Sequence, residues 1–100
     1  MNTIANAPAG ATMSEPEARP KVARHFRLQW EEAQTAWVLL YPEGMVKLSQ
    51  SAGEIMRRCD GARTVGAIVS ELEVAFNASD LAGEVHAFLD MARKQRWIEG

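Results

Sequence analysis

One hundred residues make one domain's worth of chain, and the core it can bury is modest. Lys and Arg number 11 against 13 Asp and Glu, a net charge of −2, which argues against a broad basic surface for nucleic acid. A single cysteine, Cys59, rules out an internal disulfide and suits a reducing, cytoplasmic setting; there is no apolar run of about 18 residues to span a membrane, and no basic-then-apolar signal peptide.

The chain opens on "MNTIANAPAGATMSEPEARP", which holds three of the four prolines and no aromatic residue. It has no apolar period, so it cannot bury enough surface to offset its ordering entropy. Residues 1–20 are therefore expected to be a disordered tail or linker, with the folded domain over 21–100. "RHFRLQW" then alternates: Phe26, Leu28 and Trp30 share one face, and His25, Arg27 and Gln29 the other. That is the period of a half-buried strand. "EEAQ" is a polar connection. "TAWVLLYP" is rich in strand formers, with Trp37, Leu39 and Tyr41 alternating. A tight turn at Pro42–Gly44 leads into a short third run, Met45 to Leu48. Short connections favour an antiparallel meander of three strands. The alternation puts Met45 and Lys47 on one face and Val46 and Leu48 on the other, and leaves open which pair faces the core.

Three helices follow. Ser49 or Ser51 can cap the first, and Ser51 with Glu54 has the capping-box spacing. Ala52, Ile55, Met56 and Cys59 share one of its faces, and Gly61 supplies a stop. Thr64 caps the second, whose stripe is Val65, Ile68, Val69, Leu72 and Phe76. Ser79 or Asp80 caps the third, whose stripe is Leu81, Val85, Phe88, Leu89 and Ala92. Lys94 and Arg96 suit its C-terminal dipole, and Trp97 and Ile98 are expected to fold back onto the core. The fold class is α+β: a three-stranded antiparallel sheet followed by three helices, winged-helix-like.

No catalytic constellation emerges. Cys59 continues an apolar stripe and has no partner to make thiolate, so it reads as a small buried hydrophobe; the thiol-enzyme alternative needs Cys59→Ser to abolish function at unchanged stability. His25 and His86 lie in different elements, and no metal-ligand spacing occurs. Glu31–Glu32 and Glu71–Glu73 read as solvated charge. No phosphate loop, cofactor motif or metal set is expected. The alternative function is a winged-helix nucleic-acid binder, but the second helix carries Glu71 and Glu73 and no basic residue. Only the terminal "RKQR" helps that reading.

The third strand has no later strand to pair with, and an open edge is a hazard that proteins cover or blunt. Lys47 can be such a blunting charge. The edge can also accept a peptide strand, with a neighbouring helix supplying pockets. Backbone bonds alone are too weak for this, so an apolar groove beside the edge is expected, with Val85, Phe88, Leu89 and Met91 of the third helix as candidates.

The segment "FRLQWEEAQTAWVLLYPEGMVKLSQSAGEIMRRCDGARTVGAIVSELE" resembles the PqqD family of pyrroloquinoline quinone biosynthesis. The likeness runs through Arg27–Leu28, "VLLYPE" at Val38–Glu43, the short strand at Met45–Leu48, "CDG" at Cys59–Gly61 and Thr64, Val65 and Ile68. It continues at Glu84, Val85, Phe88 and Leu89. The chain departs from many relatives at Gln34, Gly44 and Arg96. The resemblance implies a chaperone without catalysis that binds the precursor peptide PqqA and presents it to the radical S-adenosylmethionine enzyme PqqE. It also implies that the peptide joins the sheet beside the third strand and packs on the third helix. Transferred to this chain, the expected contacts are Met45, Val46, Lys47, Leu48, Val85, Phe88, Leu89, Met91 and Ala92. Some relatives are fused to PqqC, so fusion to or association with PqqC is a further expectation, with the N-terminal segment as the linker.

Overall fold

A computed structural model describes residues 16–100. The sheet is β2 (Arg27–Glu31), β3 (Ala36–Tyr41) and β4 (Gly44–Lys47), antiparallel in the order β2-β3-β4. Helices α1 (Gln50–Met56), α2 (Val65–Ala75) and α3 (Ala82–Lys94) follow. The α+β class and the meander are as expected from alternation and short turns. Two further strands of two residues each, β1 (Lys21–Val22) and β5 (Ile98–Glu99), pair antiparallel and tie the two ends of the domain together. Strands this short carry no readable alternation, so neither is legible in the sequence.

Register decides which side chains meet. Leu28, Leu39 and Val46 stand opposite one another across the three strands and pack into or against the core. Val46 and Leu48 thus face inward, while Met45 and Lys47 are exposed on the other face. This settles the pair left open by alternation alone. Leu39, Met56, Ile68 and Leu89 are fully buried and fill the space between sheet and helices. The helix α1 sits close against β3 because Gly53 has no side chain; a Cβ there would come within 2.9 Å of Trp37 Cδ1.

Ser49 caps α1, its Oγ accepting from the Ala52 N–H at 3.2 Å, and Ser51 does not take that role. Thr64 caps α2 through the Ala67 N–H at 3.0 Å. The expected Ser79 or Asp80 cap on α3 is not formed: Leu81 is the capping residue and offers no side-chain acceptor. Its own N–H instead donates to Glu73 Oε2 at 3.0 Å, so a carboxylate from α2 serves the start of α3 from outside the local sequence.

The expected tail divides at Pro16. Residues 1–15 lie outside the described residues. Residues 16–20 are docked: the carbonyls of Ala18 and Pro16 accept from the Val65 and Gly66 N–H groups at 2.8 and 2.9 Å, and Pro20 accepts from Gly61. Pro20 is fully buried. The first N–H groups of a helix lack intrahelical partners, and this segment supplies two of them. It contributes carbonyls rather than an apolar stripe, so hydrophobic periodicity gives no sign of its docking.

Glu71 was expected to be solvated, yet it accepts from Arg58 Nε at 3.1 Å and from Arg63 Nε at 2.8 Å. Arg58 also holds Glu54 at 2.7 Å, and Arg63 holds Asp60 at 2.7 Å. The network joins α1, the α1–α2 loop and α2. Hydrogen bonding from Arg63 is the main cause holding the Glu71 carboxyl below its ordinary range.

Candidate functional site

Among the described residues the sheet has two unpaired edges, β2 and β4, and β4 is the one whose end leads into α1. The Leu48 N–H donates to the Trp37 carbonyl at 3.0 Å, so the backbone groups of Leu48 face β3. Backbone direction alternates along a strand. With the register Leu39 to Val46 and Tyr41 to Gly44, Val46 and Gly44 also turn their backbone groups toward β3. Met45 and Lys47 turn theirs to the open side. The edge therefore offers two N–H donors and two carbonyl acceptors, from these two residues.

The chain turns at Ser49 into α1, and a cleft of about 320 Å³ opens beside that turn. Gln50 and Ser51 form one wall. Ile55, Leu72, Val85, Leu81, Phe76 and Phe88 make it apolar, and Glu84 stands at it as a charged group. It is built by the start of α1, the end of α2 and the first half of α3. Phe88 is held on its other side by the Trp97 ring, with centroids 6.4 Å apart. Trp97 lies against the core and Ile98 is buried in it, as the fold-back expectation required.

The expected binding residues separate into distinct groups. Met45 and Lys47 are exposed on the edge, and Val46 is half-buried beneath it. Val85 and Phe88 line the cleft. Leu48, Leu89 and Ala92 belong to the buried core, Leu89 and Ala92 with no exposure at all. Met91 is exposed on α3 and is not part of the cleft lining. A one-stripe reading of α3 could not make this division, because core and cleft share adjacent positions of one apolar stripe. Phe76 and Leu81, both in the expected helix stripes, reach the cleft from two helix ends, and Leu81 also packs against the core. Their apolar character was legible, but their exposure depends on where α2 stops against α3.

Cys59 is buried, and its thiol donates to the Ile55 carbonyl at 3.4 Å. Burial, and then the Asp60 carboxylate, push its pKa from 9.0 up to about 12. The thiol is neutral and shielded at ordinary pH, which suits packing and not nucleophilic attack. The unfolded thiol loses its proton above 9.0 while the folded one keeps it. This contribution to stability is full below pH 9 and is lost as pH rises toward about 12. We expect thermal stability to fall over that window, less so in Cys59→Ala, and iodoacetamide at pH 8 to label Cys59 only in denaturant. Rapid labelling of the folded protein at that pH contradicts a buried structural thiol.

Among the described residues, no group of three His, Cys, Asp or Glu could hold a metal ion, and no helix is long and apolar enough to cross a membrane. The terminal cations Arg93, Lys94 and Arg96 share a shallow depression with Arg24, His25 and Glu99 at the far end of α3, and Arg93 donates to the Gly100 carbonyl at 2.7 Å.

Comparison with known proteins returns one consistent relationship. The family model described as coenzyme PQQ synthesis protein D (PqqD) matches residues 36–98. A protein of Stutzerimonas stutzeri strain A1501 named "PqqA binding protein" is 48% identical over 81 residues, covering 80% of this chain and 88% of that protein. Its namesake in Azotobacter vinelandii strain DJ is 51% identical over the same span. The solution structure of the PqqD truncation of Methylobacterium extorquens PqqCD is similar with a TM-score of 0.63 and 28% identity, over 81% of this chain and 88% of that one. That truncation is described as a functional, stand-alone recognition element for ribosomally synthesised and post-translationally modified peptides.

Proposed function

The chain belongs to the PqqD family, and from that premise we propose that it binds the precursor peptide PqqA by strand addition at β4 and presents it to PqqE. The observation that supports the reading is the pairing of the β4 edge, unpartnered among the described residues, with an apolar cleft beside the turn that follows it. Neither is sufficient alone. Four edge hydrogen bonds at ~1 kcal/mol net each contribute about 4 kcal/mol. Micromolar binding requires about −8 kcal/mol after an association cost of ~4–15 kcal/mol. Each apolar side chain fully buried in the cleft adds about 1.5–3 kcal/mol, so at the low end of that cost roughly three to five anchors supply the remaining ~8 kcal/mol.

In this reading the peptide backbone bonds to Met45 and Lys47. Its inward side chains pass over Val46 and reach Val85, Phe88, Phe76 and Leu81. Leu48, Leu89 and Ala92 support the groove from beneath. The protein's role is to order a flexible substrate, with the chemistry left to PqqE. Association with PqqC is a further part of the proposal, supported by the PqqCD origin of the similar structure.

An amide-shift titration with synthetic PqqA tests this. The expected shifts fall on Met45–Leu48, Gln50, Ser51, Phe76 and Val85–Phe88, and further shifts appear when PqqE is added to the complex. Shifts confined to the outer face of α2 would overturn the proposed mode. Adding PqqE to the complex without any further change would remove the presentation step.

A further inference from the structure

Strand addition leaves the added peptide with two faces, and only one of them can reach the cleft. We infer that Met45 and Lys47 read the other face, so that the bound segment carries an acidic residue opposite Lys47 and an apolar residue opposite Met45, two positions apart. The inference rests on the proposed strand addition at β4.

The register supplies the geometry. The outward face of the sheet has two complete rows, Gln29–Val38–Lys47 and Arg27–Leu40–Met45. A fourth strand on β4 extends both rows by one residue. Met45 and Lys47 turn their backbone groups to the open side, so each forms a hydrogen-bonded pair with its new neighbour, with side chains about 5 Å apart at Cβ. Residues two apart on the peptide fall on the same face.

The chemistry of each row follows from its present occupants. Met45 is 45% exposed beside the half-buried Leu40. That row ends in an apolar surface that a peptide side chain can continue. Lys47 makes no ion pair among the described residues, and its cross-strand neighbours Val38 and Gln29 carry no charge. A peptide carboxylate added at the open side can therefore meet its ammonium directly, with no charged cross-strand neighbour to compete. A charge that serves merely to blunt an edge needs no such partner.

The test is calorimetric titration of wild-type, Lys47→Glu and Lys47→Gln proteins with synthetic PqqA and with PqqA variants in which each acidic residue is changed in turn to Lys. Lys47→Glu should weaken binding about five- to tenfold at low salt, and Lys47→Gln about two- to threefold. The loss should shrink at about 0.5 M salt. One acidic reversal should restore binding to Lys47→Glu within about twofold, and an apolar residue two positions away should couple to Met45→Asp. Lys47 is exposed, so thermal melts of its variants should match wild type. Wild-type affinity in Lys47→Glu, or an equal loss against every peptide variant, overturns the inference. The proline variant Met45→Pro separates the two levels. If it loses binding while Lys47→Glu shows no coupling, only this inference fails; if it binds as wild type, strand addition fails with it.

Discussion

Met45→Pro should leave the domain folded and weaken PqqA binding by about 30- to 100-fold, whereas Val46→Pro should unfold the β3–β4 hairpin. The two positions are neighbours in sequence and equivalent in composition-level terms. They differ in backbone direction. The Met45 N–H points to the open side, so a proline there removes a donor that none of the described residues uses. An incoming strand then faces a missing donor and a ring in its path, at a cost of ~2–3 kcal/mol for the unpaired carbonyl and the lost approach. The Val46 N–H lies on the β3 side, as the Leu48 bond to Trp37 requires. Proline there breaks a ladder bond inside the sheet and destabilises by ~3 kcal/mol or more. Circular dichroism and titration together decide the matter. Met45→Ala keeps the N–H and should lose only a few-fold. Full binding by Met45→Pro, or a well-folded Val46→Pro, would show that the assigned strand direction is wrong.

The second large effect separates two adjacent residues of α3. Leu89→Ala should destabilise the domain by ~2–5 kcal/mol, because Leu89 is fully buried and the surrounding core can only partly collapse into the space. For a domain of this size that lowers Tm by roughly 8–40 °C. Phe88→Ala should lower Tm far less, because Phe88 is half-buried and faces the cleft and Trp97. Its effect should appear in binding, as a loss of about tenfold or more once the cleft loses its largest anchor on α3. Differential scanning calorimetry and titration of both variants check the division. Equal effects on stability at the two positions would contradict the cleft as drawn.

The local features of the fold were largely legible. The alternation of Phe26, Leu28 and Trp30, and of Trp37 and Leu39, reported a half-buried sheet, and the 3.6-residue stripes reported the helices. The caps at Ser49 and Thr64 have the residue types that such ends favour, so they were among the candidates. The family resemblance lay in the ordered series from Arg27 to Leu89, and the comparisons agree with it. The features that were missed share one physical property. Glu73 serving the Leu81 N–H, Glu71 bridging Arg58 and Arg63, and Ala18 and Pro16 serving α2 are all polar contacts between separate elements. Hydrogen bonds and ion pairs of that kind leave no periodic trace along the chain.

What the chain determines by itself is which residues can be buried, because burial follows from apolar side chains recurring at the period of a strand or a helix. That suffices for the elements, their order and most of the core. Which apolar residues remain available to a ligand was decided only in three dimensions. Leu89 and Phe88 differ through the placement of α3 against α2 and the sheet, and Phe76 is exposed through the point at which α2 ends. Likewise, alternation established that Met45 and Lys47 oppose Val46 and Leu48, but the outward pair was selected by pairing Val46 with Leu39. A period of two carries no absolute direction. Only the partner strand and the core beneath it supply one, and with it the identity of the residues that β4 turns outward.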